Sequence, residues 1–251
     1  MIHRFFVPAD CVSGDQVSFT EDQRKQIRNV LRLRPGDVVG ALDDSGREFV
    51  TEIQELDDTR ALGRVVEIRT PATEASVRLA LVQSLPKREK MEFILQKCTE
   101  IGVAEFLIME TARSVPKIAP SKVPGRLERW RSIVREGAEQ AGRARLPVVD
   151  GVVPFRSIPA RVRNYDAALI AWEEEEEATL SSELLHLTNA NRIAYLVGPE
   201  GGFTADEVAA ARAEGAIPVS LGQRTLRTET AAIVGTALIV YGLERQQHQQ
   251  A

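Results

Sequence analysis

Two glycine-bearing segments in the last quarter of the chain hold the residues with the clearest chemical potential. The first is Gly198-Pro-Glu-Gly-Gly202, which succeeds the apolar run 193–197. The second is Leu221-Gly-Gln-Arg-Thr-Leu-Arg-Thr-Glu229, which closes the apolar run 217–221. Glycine lets a main chain approach a ligand closely. In an open α/β sheet, ligands bind beyond the carboxyl ends of the strands. Two such turns predict one crevice lined mostly by backbone. The first loop lacks the Lys-Ser/Thr of a P-loop and the GxGxxG spacing of a dinucleotide fold, and Glu200 would repel phosphate. A carboxylate beside these glycines favours a neutral or cationic ligand, and S-adenosylmethionine, with its sulfonium, has that charge. The competing reading is a tight strand-to-helix turn that binds nothing.

The second segment adds fixed charges. Arg224 and Arg227 place two cations near the same strand ends. Thr228 is placed to cap the final helix, and Glu229 lies in its first turn, where the helix dipole favours an anion. Arg227 and Glu229 read either as a surface pair worth little or as groups that hold a substrate phosphate or orient a base.

The elements that must position these loops are legible from periodicity. From residue 76 onward, apolar runs at 77–82, 106–109, 167–170, 193–197 and 217–221 read as strands. Helical spacing falls at 89–101, 121–144 and 228–244. Thr204-Ala-Asp-Glu207 is a capping box that starts a further helix. Strands alternating with helices predict a mostly parallel sheet covered on both faces. Residues 1–70 differ. Short strands at 5–7, 38–42, 48–53 and 62–68 surround one helix at 21–33, with turn chemistry in Arg34-Pro-Gly-Asp37 and Asp43-Asp-Ser-Gly46. Residues 70–75 read as a linker. The run Glu173–Glu177 reads as a solvated loop or helix start.

Composition excludes several classes. The net charge of −4 carries no nucleic-acid signature for the whole molecule, yet residues 85–150 hold 13 Lys and Arg against 9 Asp and Glu. That local excess suits an anionic partner or a salt-bridged helix surface equally well. Cys11 and Cys98 form no CxxC, which predicts a reduced, cytoplasmic protein without disulfides. The three histidines are scattered, so no metal cluster is expected. The N-terminus lacks the features of a signal peptide, and the apolar run 231–243 is too short to span a bilayer.

Taken together, Gly198-Pro-Glu-Gly-Gly202 and Leu221-Gly-x-Arg-x-Leu-Arg-x-Glu-Thr-Ala231 resemble the SPOUT methyltransferases, specifically the RsmE family. The resemblance runs nearly the length of the chain. His3-Arg4-Phe5-Phe6 and Val30-Leu-Arg-Leu-Arg-Pro-Gly-Asp37 look like the family's PUA-like domain. Lys87, Lys97-Cys-Thr-Glu-Ile-Gly102 and Glu139-Gln-Ala-Gly-Arg143 are similar to its middle motifs. Gln26 departs from the pattern, where a His is expected, and bears on RNA contact.

The resemblance implies an α/β fold of two domains: a small PUA-like β-barrel over 1–72 and a SPOUT domain over 73–251 whose mostly parallel sheet carries a trefoil knot. It implies methylation at N3 of a uridine in small-subunit (16S) ribosomal RNA, free or within the assembled subunit, by a homodimer in the cytoplasm. Cofactor contacts are expected at Leu196, Gly198, Glu200, Gly201, Leu221, Gly222 and Leu226. Arg227, Glu229 and Arg143 are the candidates for chemistry, the last supplied across the dimer. Arg4, Arg28, Arg32, Lys87, Arg88 and Lys97 are the candidates for RNA grip. No membrane and no metal are expected. Alternatives are a SPOUT enzyme acting on tRNA or on a ribose 2′-hydroxyl, and a non-catalytic RNA-binding assembly factor.

Overall fold

The structure, a computed structural model, describes residues 2–87 and 90–250, the last four of these by backbone alone. Contacts divide the chain into two compact units, 1–74 with 135–146, and 75–134 with 147–251.

The first unit is built on strands β1 (Arg4–Phe6), β2 (Val12–Ser13), β3 (Gln16–Ser18), β4 (Val38–Leu42), β5 (Glu48–Leu56) and β6 (Ala61–Arg69). They form one curled sheet in the order β1-β4-β5-β6-β3-β2, parallel only between β1 and β4. Its core gathers Phe5, Val17, Ile27, Val39 and Ile53. The helix expected at 21–33 is shorter. Helix α1 (Glu21–Lys25) starts at a capping box on Thr20 and Gln23, then widens into a π-turn over Gln26–Val30. The chain leaves it through Arg32 at φ 57°, ahead of Pro35, which disfavours helix in the residue before it. The Asp43–Gly46 hairpin turn forms as expected, with Asp43 accepting from the Ser45 N–H and Asp44 and Gly46 at positive φ. Segment 135–146 belongs here because Glu139 accepts from the Phe6 N–H, Arg135 donates to the Phe6 carbonyl, and Ala138 packs on Phe6 and Leu42.

The second unit holds β7 (Arg78–Ser84), β8 (Glu105–Glu110), β9 (Val148–Pro154), β10 (Ala167–Ala171), β11 (Arg192–Val197) and β12 (Ala216–Val219). These pair all in parallel in the order β12-β10-β11-β7-β8-β9. The central strands β7 and β11 are buried at every residue after the first, the pattern of a sheet covered on both faces. The helices are α2 (Lys90–Ile101), α3 (Val123–Ala141), which runs on into 135–146, α4 (Ile158–Val162), α5 (Leu180–Leu184), α6 (Ala205–Ala213) and α7 (Thr228–Gln250). Periodicity does not single out β9, α4 or α5, and the last strand ends at Val219, two residues early.

Strand order places the cavity. The chain lays β7, β8 and β9 outward in one direction, then returns to build β10, β11 and β12 on the other side of β7. The carboxyl ends of β12, β10 and β11 are therefore neighbours. From the edge strand β12 the chain crosses back to α7, which packs on β7, β11 and α2. Gly235 makes that packing possible: the fully buried Tyr195 ring occupies the space a Cβ there would need, and its hydroxyl donates to the Ala231 carbonyl at 3.1 Å. Gly235→Ala is expected to cost about 1–3 kcal/mol by overpacking a rigid buried ring, read as a lower midpoint in urea unfolding. An unchanged midpoint would show that α7 shifts freely.

Candidate active site

Three adjacent strand ends open onto one cavity of about 630 Å³. Residues 171–179 after β10 form one wall, Val197 to Gly202 after β11 a second, and Ser220 to Thr228 after β12 a third. The volume is that of a small-molecule site. Both glycine loops identified from sequence face it.

Side chains hold the first loop from two sides. The Arg113 guanidinium donates to the Gly201 carbonyl at 2.7 Å and the Phe203 carbonyl at 3.1 Å. Thr204 and Glu207 form the expected capping box at α6, and Glu207 also accepts from the Ala112 N–H at 2.8 Å. On the cavity side, Thr228 Oγ1 donates to the Gly198 carbonyl at 2.6 Å and accepts from Gln83 Nε2 at 3.1 Å. Thr228 thus does not take the capping role at α7 that its position predicts. It is the first helical residue, and its hydroxyl ties the helix start to the first loop.

A second tie is ionic. Lys90 lies 3.2 Å from Glu200 of the first loop and 3.0 Å from Glu229 at the start of α7. Glu200 also accepts from the Lys87 N–H at 3.0 Å. Desolvation raises the carboxyl pKa of Glu229, but its own N–H, Lys90 and the charge of Arg227 outweigh this and leave it lowered. Glu200 is lowered in the same way, desolvation being outweighed by N–H donors and Lys90. Lys90 is raised, chiefly by its bond to Glu229. Both acids are anions at neutral pH, sharing one cation.

The third wall offers main chain. Gly222 sits at φ 105°, where side-chain-bearing residues are strained. The N–H groups of Leu221 and of residues 223–227 have no hydrogen-bond partner among the described residues. Backbone donors need a partner from solvent or ligand. Trp172 on the first wall likewise buries an unpartnered indole N–H. The half-buried Leu221 and Leu226 give the wall apolar surface. A flat heterocycle edged with donors and acceptors fits such a slot, and so does a cation, given four lining carboxylates (Glu173, Glu175, Glu176, Glu200) against the single Arg224. Among the described residues no group of His, Cys, Asp and Glu is arranged to hold a metal ion.

Comparison with known proteins agrees with this geometry. Residues 73–240 match the RNA methyltransferase domain family, and residues 19–66 match the RNA methyltransferase PUA domain family. The ribosomal RNA small subunit methyltransferase E of Bacillus subtilis is 32% identical over 231 residues, 90% of each chain. The chain belongs to the RsmE family of SPOUT methyltransferases. The RsmE crystal structure from Neisseria gonorrhoeae, bound to S-adenosyl methionine, superposes with a TM-score of 0.86 at 28% identity over 95% of this chain and 97% of that one. A Legionella pneumophila methyltransferase, solved with the same cofactor, superposes equally well (TM-score 0.86) at 26% identity over 95% and 97% of the two chains. The fold is accordingly the RsmE one, mixed α/β, with a curled PUA-like sheet in one unit and an all-parallel sheet in the other.

Within this RsmE chain the expected site residues divide. Gly198, Glu200, Leu221, Gly222 and Leu226 line the cavity. Leu196 does not: its side chain is fully buried in the core beneath the sheet end, and Val197 lines in its place. Gly201 does not either: it faces the Arg113 side chain, and Gly202 takes the cavity side. Arg227 is exposed between the lining residues Leu226 and Thr228. Glu229 pairs with Lys90 rather than with Arg227. Arg143 is only 2% exposed, within the first unit, where its guanidinium bonds Glu74 at 2.7 Å, so in this chain it is a structural ion pair. Of the RNA candidates, Arg4 pairs with the buried Glu48, Arg28 with Asp58 and Lys97 with Glu100. Arg32 and Lys87 are exposed, with no ion pair among the described residues. Arg88 lies outside the described residues. Sequence reasoning does not single out Lys90, Arg113 or Gln83; the only trace of Lys90 is that it is one cation in the locally basic middle.

The tie through Lys90 has a pH signature. Glu200 and Glu229 titrate below the usual 4.5 when folded, so their contribution is present above that value and lost as pH falls through the folded values. Lys90 titrates above 10.5, so its contribution is lost only as pH rises beyond that. The three side chains are 28% exposed or less. Lys90→Met is expected to cost about 1–2 kcal/mol at pH 7, by leaving the part-buried Glu229 without its ion-pair partner and Glu200 with only the Lys87 N–H. The gap between wild type and variant should close below pH 4.5 in a series of urea titrations. A gap that does not change with pH would contradict the ionic tie.

Proposed function

We propose that this chain transfers the methyl group of S-adenosylmethionine to N3 of a uridine in small-subunit (16S) ribosomal RNA. Family membership and the cofactor held by two close structural relatives support this reading. The observation that carries it is the row of unpaired amides at Leu221 and 223–226, on the wall that shares an acid-rimmed cavity with the Gly198–Gly202 loop. Leaving a buried adenine donor or acceptor unmatched costs about 1–3 kcal/mol, so such an edge selects that base. Val197, Leu221 and Leu226 enclose the ring, with Gly198, Gly202 and Gly222 leaving room for it.

The bound cofactor supplies a methyl carbon open to in-line displacement. The chain must hold the acceptor in line and manage the N3 proton; alignment of this kind is worth up to about 7–11 kcal/mol in the best cases. N3 lies on the Watson–Crick edge, so the uridine must be unpaired and turned out of its stack. Arg227 stabilises the anion that develops on the uridine as its proton leaves. Glu229 is poorly suited to take that proton, because a good base titrates near the working pH and its pKa is lowered. Its place is to fix Lys90 and the start of α7. Arg32 and Lys87 are the exposed cations that would meet phosphate. The relatives named ribosomal RNA small subunit methyltransferase E favour a ribosomal substrate over tRNA. Homodimerisation is supported by an exposed apolar stripe on α7, Val234, Leu238 and Tyr241, at helical spacing. No helix among the described residues is long and apolar enough to cross a membrane, and we place the chain in the cytoplasm, with its substrate.

Mass-spectrometric mapping of 16S RNA from a strain lacking the protein should show loss of one N3-methyluridine, restored by the wild-type chain. Retention of that modification would refute the assignment. Arg227→Ala should lower turnover by about 100-fold or more, as for loss of one charge-stabilising group, with cofactor affinity nearly unchanged by calorimetry. Full turnover would remove Arg227 from the chemistry.

A further inference from the structure

Five consecutive glutamates read, on composition, as a solvated surface run. The structure leaves four of the five exposed, and it lays Glu173, Glu175 and Glu176 along the cavity wall beyond β10. They differ in what they do there. Glu175 is turned back on its own loop, accepting from the N–H groups of Glu177 and Ala178, with Arg212 at 3.8 Å. Glu200, across the cavity, is neutralised by Lys90. Glu176 and Glu173 are both exposed and have no ion pair or side-chain hydrogen bond among the described residues, and the one that reaches the first loop is Glu173. Its carboxylate lies against Gly202, in the space any side chain at that position would take. The binding loop thus carries a glycine at the point where an uncommitted negative charge is laid over it.

We propose that Glu173 determines the charge preference of the cavity, favouring the methyl-bearing, cationic cofactor over the neutral thioether left after transfer. The proposal rests on the methyltransferase reading and adds to it a residue and a property. S-adenosylmethionine carries a net positive charge from its sulfonium, whereas S-adenosylhomocysteine is electrically neutral. Adenine, ribose and amino-acid tail are common to both, so backbone contacts cannot tell them apart. An exposed carboxylate at the cavity wall with no partner among the described residues can, because its attraction acts on the charge that differs. With Glu200 paired to Lys90 and Glu175 held by its own loop, Glu173 and Glu176 face Arg224, the single cation lining the cavity among the described residues. The bias lets the spent cofactor leave in exchange for a fresh one.

The test is calorimetric and needs no turnover. Affinities of the full-length wild type, Glu173→Gln and Glu174→Gln are measured for S-adenosylmethionine, S-adenosylhomocysteine and sinefungin, in which a cationic amine group replaces the sulfonium. Glu174 does not line the cavity and controls for overall charge. Glu173→Gln should weaken the two cationic ligands about 3- to 10-fold, the range of a partly screened ion pair, and S-adenosylhomocysteine less than about 2-fold. Glu174→Gln should change none of them. In wild type, added salt should weaken the cationic ligands and spare the neutral one. Equal weakening of all three ligands by Glu173→Gln, or no weakening of any, would overturn the proposal while leaving the methyltransferase reading intact. Failure of the wild type to bind S-adenosylmethionine at all would overturn both.

Discussion

The site depends on one constraint: two loops separate in sequence must be held as a single wall around a cavity. Backbone alone does not do this. The short Thr228–Gly198 hydrogen bond joins the start of α7 to the carbonyl that opens the first loop. Lys90, from the start of α2, spans Glu200 and Glu229 and so closes the same gap by charge. The helix start that bears Arg227 is thereby fixed relative to the glycines that face the ligand. Parallel pairing of β12, β10 and β11 brings the three strand ends side by side, and the core under Leu196, Phe203 and Val208 gives them a rigid floor.

Electrostatics then sort the acidic residues by role. Two carboxylates share a lysine and are consumed in holding the loops together. One folds back on its own turn. Glu173 and Glu176 are left without a partner among the described residues, and Glu173, against Gly202, is the one proposed to give the cavity its preference for cations. The same sorting applies to the arginines. Those of the first unit that sequence nominates for RNA contact or chemistry are mostly taken up by Glu48, Asp58 and Glu74, whereas Arg227 keeps an exposed head. A charged side chain with a structural partner and one without it are alike in sequence.

Much of this is legible from residue order. Continuous apolar runs locate the central strands, because burial on both faces leaves little alternation, and period-3.6 patterns locate α2, α3 and α7. The capping box at Thr204 and the Asp43–Gly46 turn are readable because they are local. Alternation of strand and helix points to a parallel sheet, and glycine punctuation after two strands points to the crevice. The unreadable part is long-range. The Lys90 tie joins residues more than 100 positions apart. Membership of 135–146 in the first unit comes from contacts that Glu139 and Arg135 make with Phe6. Leu196 and Gly201 each miss the cavity by one residue, since a strand alternates its faces and a turn reverses them. The Glu run is a solvated loop, as composition says, but composition cannot show that three of its members also line the cavity.

The central claim is that both glycine loops grip one ligand together. Amide hydrogen exchange read by mass spectrometry, with and without S-adenosylhomocysteine, addresses it directly. Peptides covering 198–203 and 221–227 should gain protection at the same ligand concentration, with the unpaired amides of Leu221 and 223–227 slowing most. Protection confined to one loop, or centred elsewhere in the chain, would contradict the account.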